Sequence, residues 1–179
     1  MLIVCSPLIL AIAILIKIDS KGPIFFSQER VGEKGKIYQV HKYRSMVDNA
    51  EDQSGPVWAE SDDDRITRVG KFMRKLRIDE IPQLYNVLKG EMSFVGPRPE
   101  REYFVEQLEK KIPYYTIRST IKPGITGWAQ VCYGYGASVE DAIEKLNYDL
   151  FYIKNMTTLM DAMIVLRTIK IVLFSNGAR

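Results

Sequence analysis

Apolar runs and short polar breaks alternate along the chain, and the period of each run predicts an element. Met1 to Ile18 is apolar apart from Ser6, Pro7 and Lys17. A spanning helix needs about 20 such residues, and Pro7 removes a helical hydrogen bond and bends the helix. Three readings are open: a short span, a buried core helix, or a bent segment that enters one leaflet and turns back. The break at Ser6-Pro7 and the short length favour the third. Asp19-Ser20-Lys21-Gly22-Pro23 reads as a turn and marks an exit to water. Ile24 to Val31 is strand-like, Glu33 to Lys36 is a turn, and Ile37 to Met46 reads as the returning strand of a β-hairpin. Val47 to Asp64 is polar and acidic and reads as a loop. Its Asp62-Asp63-Asp64 run fits a solvated like-charge stretch better than a metal cluster.

Arg65 to Leu76 is predicted as a helix, because Val69, Phe72, Met73 and Leu76 recur at helical spacing. Pro82 opens a second short helix, Gln83 to Leu88, ended by Gly90. Gly96-Pro97-Arg98-Pro99 is a stiff turn, since two prolines restrict themselves and their predecessors. Glu100 to Ile112 is amphipathic, with Phe104, Leu108 and Ile112 on one face. Lys122-Pro123-Gly124 reads as the start of a type II turn. Val139 to Ile153 is a helix with Val139, Ile143, Leu146, Leu150 and Ile153 on one side and Asp149 on the acidic face. Leu159 to Phe174 is apolar, with Asp161, Arg167 and Lys170 spread around it. It either lies at a membrane surface, its cations reaching to headgroups, or packs in the core. It is also a candidate surface for homo-oligomer contacts. The expected class is α+β, mostly helical with a β-hairpin.

Composition narrows the picture little. A chain of 179 residues with 46% apolar residues is one domain, or one plus an appendage, with enough apolar side chains for a core. Net charge of +3 is mild. Two distant cysteines, Cys5 and Cys132, make neither a metal spacing nor a disulfide framework. The single histidine, His41, excludes a His-rich metal site. The cations cluster around carboxylates and no stacking stripe is evident, which disfavours a nucleic-acid partner.

The candidate chemistry sits in Arg74 to Gln83. Adjacent carboxylates, Asp79 and Glu80, follow Arg74, Lys75 and Arg77 and precede the short helix. That places them at a helix N-terminus, where free N–H groups and the dipole favour anions. Two carboxylates beside cations also suit Mg²⁺ carrying a substrate phosphate. The alternative is a capped surface helix with salt bridges. Lys42 and Arg44, two apart on one strand face, are candidate phosphate ligands or a solvated outer face. Arg98, on its stiff turn, suits bidentate phosphate binding. Gly127 and Trp128 are candidates for a flat wall against a base or sugar, although a buried Trp beside a turn is the commoner arrangement.

Seven stretches, taken in order, carry a resemblance over nearly the whole chain. They are Ser6-Pro7, Gly22 to Gly32 (GPIFFSQERVG), Lys42 to Met46 (KYRSM), Arg65 to Gly70 (RITRVG), Asp79 to Leu84 (DEIPQL), Met92 to Pro99 (MSFVGPRP) and Lys122 to Gln130 (KPGITGWAQ). The sequence resembles the catalytic domain of the bacterial sugar transferases, the monotopic polyprenyl-phosphate phosphoglycosyl transferases. The resemblance implies transfer of a sugar-1-phosphate from a UDP-sugar to polyprenyl (undecaprenyl) phosphate, with release of UMP, as the first membrane step of surface glycan assembly. It implies Mg²⁺ as cofactor, and the cytoplasmic face of the bacterial inner membrane as location. Asp79 matches the nucleophile, which holds the phosphosugar covalently. Glu80 matches its metal- and proton-handling partner. Arg74 and Arg98 match phosphate-site arginines, Lys42 the basic strand position, and Ser6-Pro7 the break of a re-entrant helix. Lys122, Gly127, Trp128 and Gln130 are expected near nucleotide or sugar. Asp64 stands where the family often has proline. Only five residues precede Ser6, so the expected organisation is a partial re-entrant membrane helix over residues 1–18 and a catalytic domain over 19–179. Two other readings stay open: a catalytically silent membrane-bound scaffold for glycan enzymes, and a glycosyl transferase that releases UDP.

Overall fold

A computed structural model describes residues 2–50, 55, 63–134, 136 and 138–174, with side chains of the first helix from residue 9 onward. Helix α1, Leu2–Asp19, covers the apolar run, and Ser6 and Pro7 fall within it. Ile12 and Ile16 bury against Tyr43 and Met73. Each such side chain stabilises the fold by about 1.5–3 kcal/mol. Leu10, Ile14, Leu15 and Ile18 stay exposed. Among the described residues no helix is long and apolar enough to cross a membrane.

The hairpin forms as expected. Strands β1, Phe25–Val31, and β2, Ile37–Tyr43, pair antiparallel, with Phe26 opposite Lys42. Met46 makes a bridge to Ile66 rather than extending β2. Helix α2 is shorter than its apolar spacing predicts, Arg68–Lys75. Thr67 caps it by accepting from the Gly70 N–H at 3.0 Å, and Asp19 Oδ2 accepts from the Val69 N–H at 2.8 Å. Those bonds satisfy orphan donors and fix the start. Phe72 points outward at 58% exposure, so its place in the apolar spacing was misleading. Asp63 is not solvated: it is buried and holds Arg65 at 2.6 and 2.8 Å. Asp62 lies outside the described residues.

Helix α3, Gln83–Leu88, and strand β3, Ser93–Val95, come next, followed by α4, Glu102–Glu109. Strand β4, Gly124–Thr126, pairs parallel with β3. This second sheet overturns the type II turn expected at Lys122-Pro123-Gly124. That turn needs positive φ at its glycine, and Gly124 is not among the glycines with positive φ. Gly124 is required for another reason. A Cβ there would collide with the Gly96 backbone, and one at Gly127 would collide with the Gly96 carbonyl. Gly124→Ala is therefore expected to cost about 3 kcal/mol, the upper end of ordinary overpacking, measured as a fall in the urea midpoint. Gly35→Ala, at an open turn with φ +75°, has only backbone strain to bear and is the milder control.

Helices α5, Trp128–Cys132, α6, Val139–Asn155, and α7, Thr158–Phe174, complete the chain. The α6 capping box, Ser138 with Asp141, sets its start. Its buried stripe is Ala142, Leu146, Asp149 and Tyr152, rotated from the expected one, and Ile143 is exposed. A carboxylate inside that stripe has a partner, described below. Helix α7 divides its apolar residues. Met160 and Ile164 bury with Val95 and Tyr152, whereas Leu159, Leu166, Leu173 and Phe174 face outward.

Candidate active site

Helix α2 ends beside Arg77, which takes the left-handed conformation at φ 56°. That position usually belongs to glycine, and arginine there costs about 1 kcal/mol. The bend starts a 3₁₀ turn, Ile78–Glu80, which continues through Ile81 and Pro82 into α3. Asp79 and Glu80 therefore sit just before the N-terminal end of α3, both buried. Arg77→Gly is expected to leave stability within about 1 kcal/mol in a urea melt. Relief of the left-handed strain offsets the loss of a part-exposed ion pair.

Two devices bring cations to this turn. The first is Asn86 on α3, fully buried. Its Oδ1 accepts from the His41 N–H at 3.1 Å, and its Nδ2 donates to the Gln39 carbonyl and to Glu91, each at 2.7 Å. This clamp ties α3 to β2 and places Lys42 Nζ 3.1 Å from Glu80 Oε1. The second is the Gly96 to Pro99 turn with the following Glu100, held at three carbonyls. Gly124 N–H donates to Pro97 O, Arg118 Nη2 to Arg98 O, and Val31 N–H to Glu100 O, each at 2.9 Å. On that fixed backbone Arg98 Nη2 reaches Glu80 Oε1 at 2.7 Å. Arg118 is held in turn by Asp149, at 2.9 and 3.1 Å, with both side chains buried. That pairing explains how α6 tolerates a carboxylate in its buried stripe.

The adjacent carboxylates have opposite electrostatics. Burial alone would raise Glu80, but Arg98, Lys42 and Arg77 together hold it well below the usual carboxylate range. Arg77 Nη1 lies 3.6 Å from Glu80 Oε2. Burial, and then repulsion from Glu80, raise Asp79 above its ordinary value, and Lys42, Arg74 and Arg98 only partly oppose this. Lys42, Arg74 and Arg98 do pull Asp79 towards its charged form, but burial and Glu80 outweigh them, because the closest cations contact Glu80. Asp79 Oδ1 is shut from solvent and has no hydrogen-bond partner among the described residues. A raised carboxylate with an orphaned oxygen beside a cation cluster is a candidate for chemistry rather than for stability.

An open groove of about 260 Å³ begins at Arg77 and Glu80. It runs between α3, β3, β4, α5 and α7 and is largely apolar. Among the described residues no group of three or more His, Cys, Asp or Glu gathers as a metal cage.

A family model described as Bacterial sugar transferase matches residues 1–175. The chain belongs to the bacterial sugar transferase family. It is 51% identical over 174 residues to an Aeromonas hydrophila UDP-N-acetylgalactosamine-undecaprenyl-phosphate N-acetylgalactosaminephosphotransferase, covering 97% of this chain and 41% of that protein. It is 42% identical to a Klebsiella pneumoniae UDP-glucose:undecaprenyl-phosphate glucose-1-phosphate transferase, covering 94% of this chain and 36% of that protein. It is 41% identical to a Caulobacter vibrioides protein of the same description, covering 97% of this chain and 65% of the relative. The chain thus spans about a third to two thirds of the length of these relatives.

Within this bacterial sugar transferase chain, the expected site residues divide. Asp79, Glu80, Lys42 and Arg98 come together, with Arg74 close enough to act on Asp79. Arg74 Nε donates to Ser45 Oγ at 2.9 Å. Arg44 does not join them. It is buried at the end of α1, donating to the Ser20 and Lys21 carbonyls at 2.8 and 2.6 Å and to Ser20 Oγ at 2.9 Å. Strand β2 ends at Tyr43, so the alternation that would align Arg44 with Lys42 stops before it. Lys122 Nζ lies near Gly90, beyond the C-terminal end of α3. Gly127 packs on Gly96 and offers no open wall. Trp128 is braced between Phe151 of α6 at 6.1 Å and Arg167 of α7 at 5.1 Å. Gln130 does line the groove that reaches Glu80. Arg77, expected to be delivered towards Asp79 with Arg74, lies against Glu80; the pairing of Arg118 with Asp149 was missed. Three cations in six residues signalled Arg77, but nothing in the spacing connects residues 118 and 149.

Proposed function

We propose that the chain transfers a sugar-1-phosphate from a UDP-sugar to polyprenyl phosphate, releasing UMP, through a covalent intermediate on Asp79. The observation that carries this is the unlike pair: Asp79 with an unpartnered buried oxygen, beside Glu80 saturated by cations. The relatives' descriptions as sugar-phosphate transferases support the reaction class. In the first step an Asp79 oxygen attacks the sugar-side phosphorus. The bond from that phosphorus to the bridging oxygen breaks, and UMP leaves with the electron pair. In the second step a phosphate oxygen of the lipid attacks the aspartyl-bound phosphorus, and the Asp79 carboxylate departs. Splitting one phosphoryl transfer into two is the advantage of a carboxylate nucleophile. Lys42, Arg74, Arg77 and Arg98 supply the positive charge that such transfers need.

Mg²⁺ fits this donor set. Mg²⁺ is usually held by one or two carboxylates with substrate phosphates and water, and the orphaned Asp79 Oδ1 is such a donor. Asp79 and Glu80 would hold it, Glu80 sharing Oε1 with Lys42 and Arg98 and Oε2 with Arg77. When bound it would neutralise phosphate charge. The acceptor places the reaction at a membrane, and we assign it to the cytoplasmic face of the bacterial inner membrane, as a starting step of surface glycan assembly. The exposed apolar side chains of α1 and α7 support contact with that surface.

The test is the nucleotide released with Mg²⁺, undecaprenyl phosphate and a panel led by UDP-N-acetylgalactosamine and UDP-glucose. UMP is expected. UDP would mean simple glycosyl transfer and would remove the role given to Asp79. Release of neither would favour the scaffold reading.

A further inference from the structure

We propose that the groove beginning at Arg77 and Glu80 is the seat of the acceptor's isoprenoid chain, holding the units nearest its phosphate. The occupant follows from the acceptor class proposed above and from the groove's chemistry. Its walls are Leu84 of α3, Phe94 of β3, Ile125 of β4, and Ile171 and Val172 of α7. Phe94 is 59% and Leu84 42% exposed, so the walls present unpaired apolar surface. Two polar side chains in it are turned to each other. Thr126 Oγ1 and Thr168 Oγ1 lie 2.7 Å apart, and Thr168 also donates to the Ile164 carbonyl. Their hydroxyls are therefore occupied and leave methyl groups to a ligand.

Charge is confined to one end. There Arg77 and Glu80 belong both to the groove and to the cation cluster. A molecule matching this layout has an anionic head and a long apolar tail. A nucleotide-sugar would leave the apolar walls without a partner. The volume, about 260 Å³, lies just under the range of whole small-ligand sites, so it suits a segment of the chain rather than all of it. Helix α7 carries the far wall, and its outward Leu166, Leu173 and Phe174 offer the remaining tail an apolar path away from the site.

The test combines kinetics with labelling. Val172→Trp fills the groove and Phe94→Ser removes a wall; both positions are part or fully exposed, and thermal melts report whether each variant folds. The KM for undecaprenyl phosphate is expected to rise about tenfold or more in each, the worth of a lost apolar side-chain contact. The KM for the UDP-sugar is expected to move less than twofold. An unchanged acceptor KM, or equal rises for both substrates, overturns the proposal. Independently of turnover, a diazirine-bearing polyprenyl phosphate should label peptides carrying Leu84, Phe94 or Val172 in the unsubstituted chain. Undecaprenyl phosphate should compete and inorganic phosphate should not. Labelling confined to other peptides overturns the groove assignment even if the chain releases UMP. Labelling in the groove with release of UDP would instead retain the groove and reject the phosphosugar step.

Discussion

Asp79→Asn is expected to abolish turnover and at the same time stabilise the fold. Loss of the nucleophile should lower kcat by about 10⁴-fold or more, the scale seen when a covalent catalyst loses its attacking group. The stability gain, about 0.5–2 kcal/mol, follows from burial. Asp79 is pushed above its ordinary value chiefly because its charge is removed from water, and next because Glu80 repels it. The folded chain therefore keeps this proton at pH values where the unfolded chain has lost it. The stability tied to the neutral form is present below the unfolded pKa and is lost as pH rises through the folded one. The melting temperatures of wild type and variant should accordingly converge in acid and separate as pH rises. Turnover should follow the opposite course, rising with pH as Asp79 ionises. Its acid limb should lie above the value of about 3.9 usual for aspartate.

Glu80→Gln is expected to fail in both respects. Glu80 is 6% exposed and is approached by Lys42 at 3.1 Å, Arg98 at 2.7 Å and Arg77 at 3.6 Å. A neutral amide leaves three cations facing one another. Stripping one partner from a fully buried pair costs about 3–5 kcal/mol. Here the figure is about 2–3 kcal/mol, because Arg98 and Arg77 keep a third of their surface in water. Activity should fall about 10²–10³-fold as the cations lose the position from which they face a phosphate. The pH signature is the reverse of that for Asp79. Glu80 is held well below its ordinary range, so its contribution is present above the unfolded pKa and is lost as pH falls through the folded one. Urea midpoints of wild type and variant, compared from neutral to acid pH, should therefore converge at the acid end.

Local signals made much of this site legible in the sequence. The hairpin, the helix after Pro82 and the rigid turn around Arg98 each follow from a short pattern; the hairpin and the turn supply Lys42 and Arg98 to Glu80, and the helix holds the hairpin through Asn86. What was not legible depends on contacts between distant segments. The parallel pairing of β3 with β4 rests on three-residue strands 31 positions apart, too short for alternation to show. Gly124 read as a turn glycine because proline precedes it, whereas its missing Cβ serves the approach to Gly96. Asp149 read as part of an acidic face, either structural or near the site, because its partner, Arg118, belongs to a different segment. The balance of burial and charge at Asp79 was not legible for a related reason. Sequence lists the nearby cations but not which carboxylate they contact, and burial decides the balance.

Intact mass of the protein after incubation with UDP-N-acetylgalactosamine and UDP-glucose in turn, with Mg²⁺ but without lipid acceptor, tests the two-step account most directly. An added mass equal to the UDP-sugar less UMP (the sugar phosphate less one water), mapped to Asp79, absent from Asp79→Asn and discharged by polyprenyl phosphate, is the predicted result. An adduct that persists in Asp79→Asn, or UMP and lipid-linked product formed in step with no adduct under rapid quench, would contradict it.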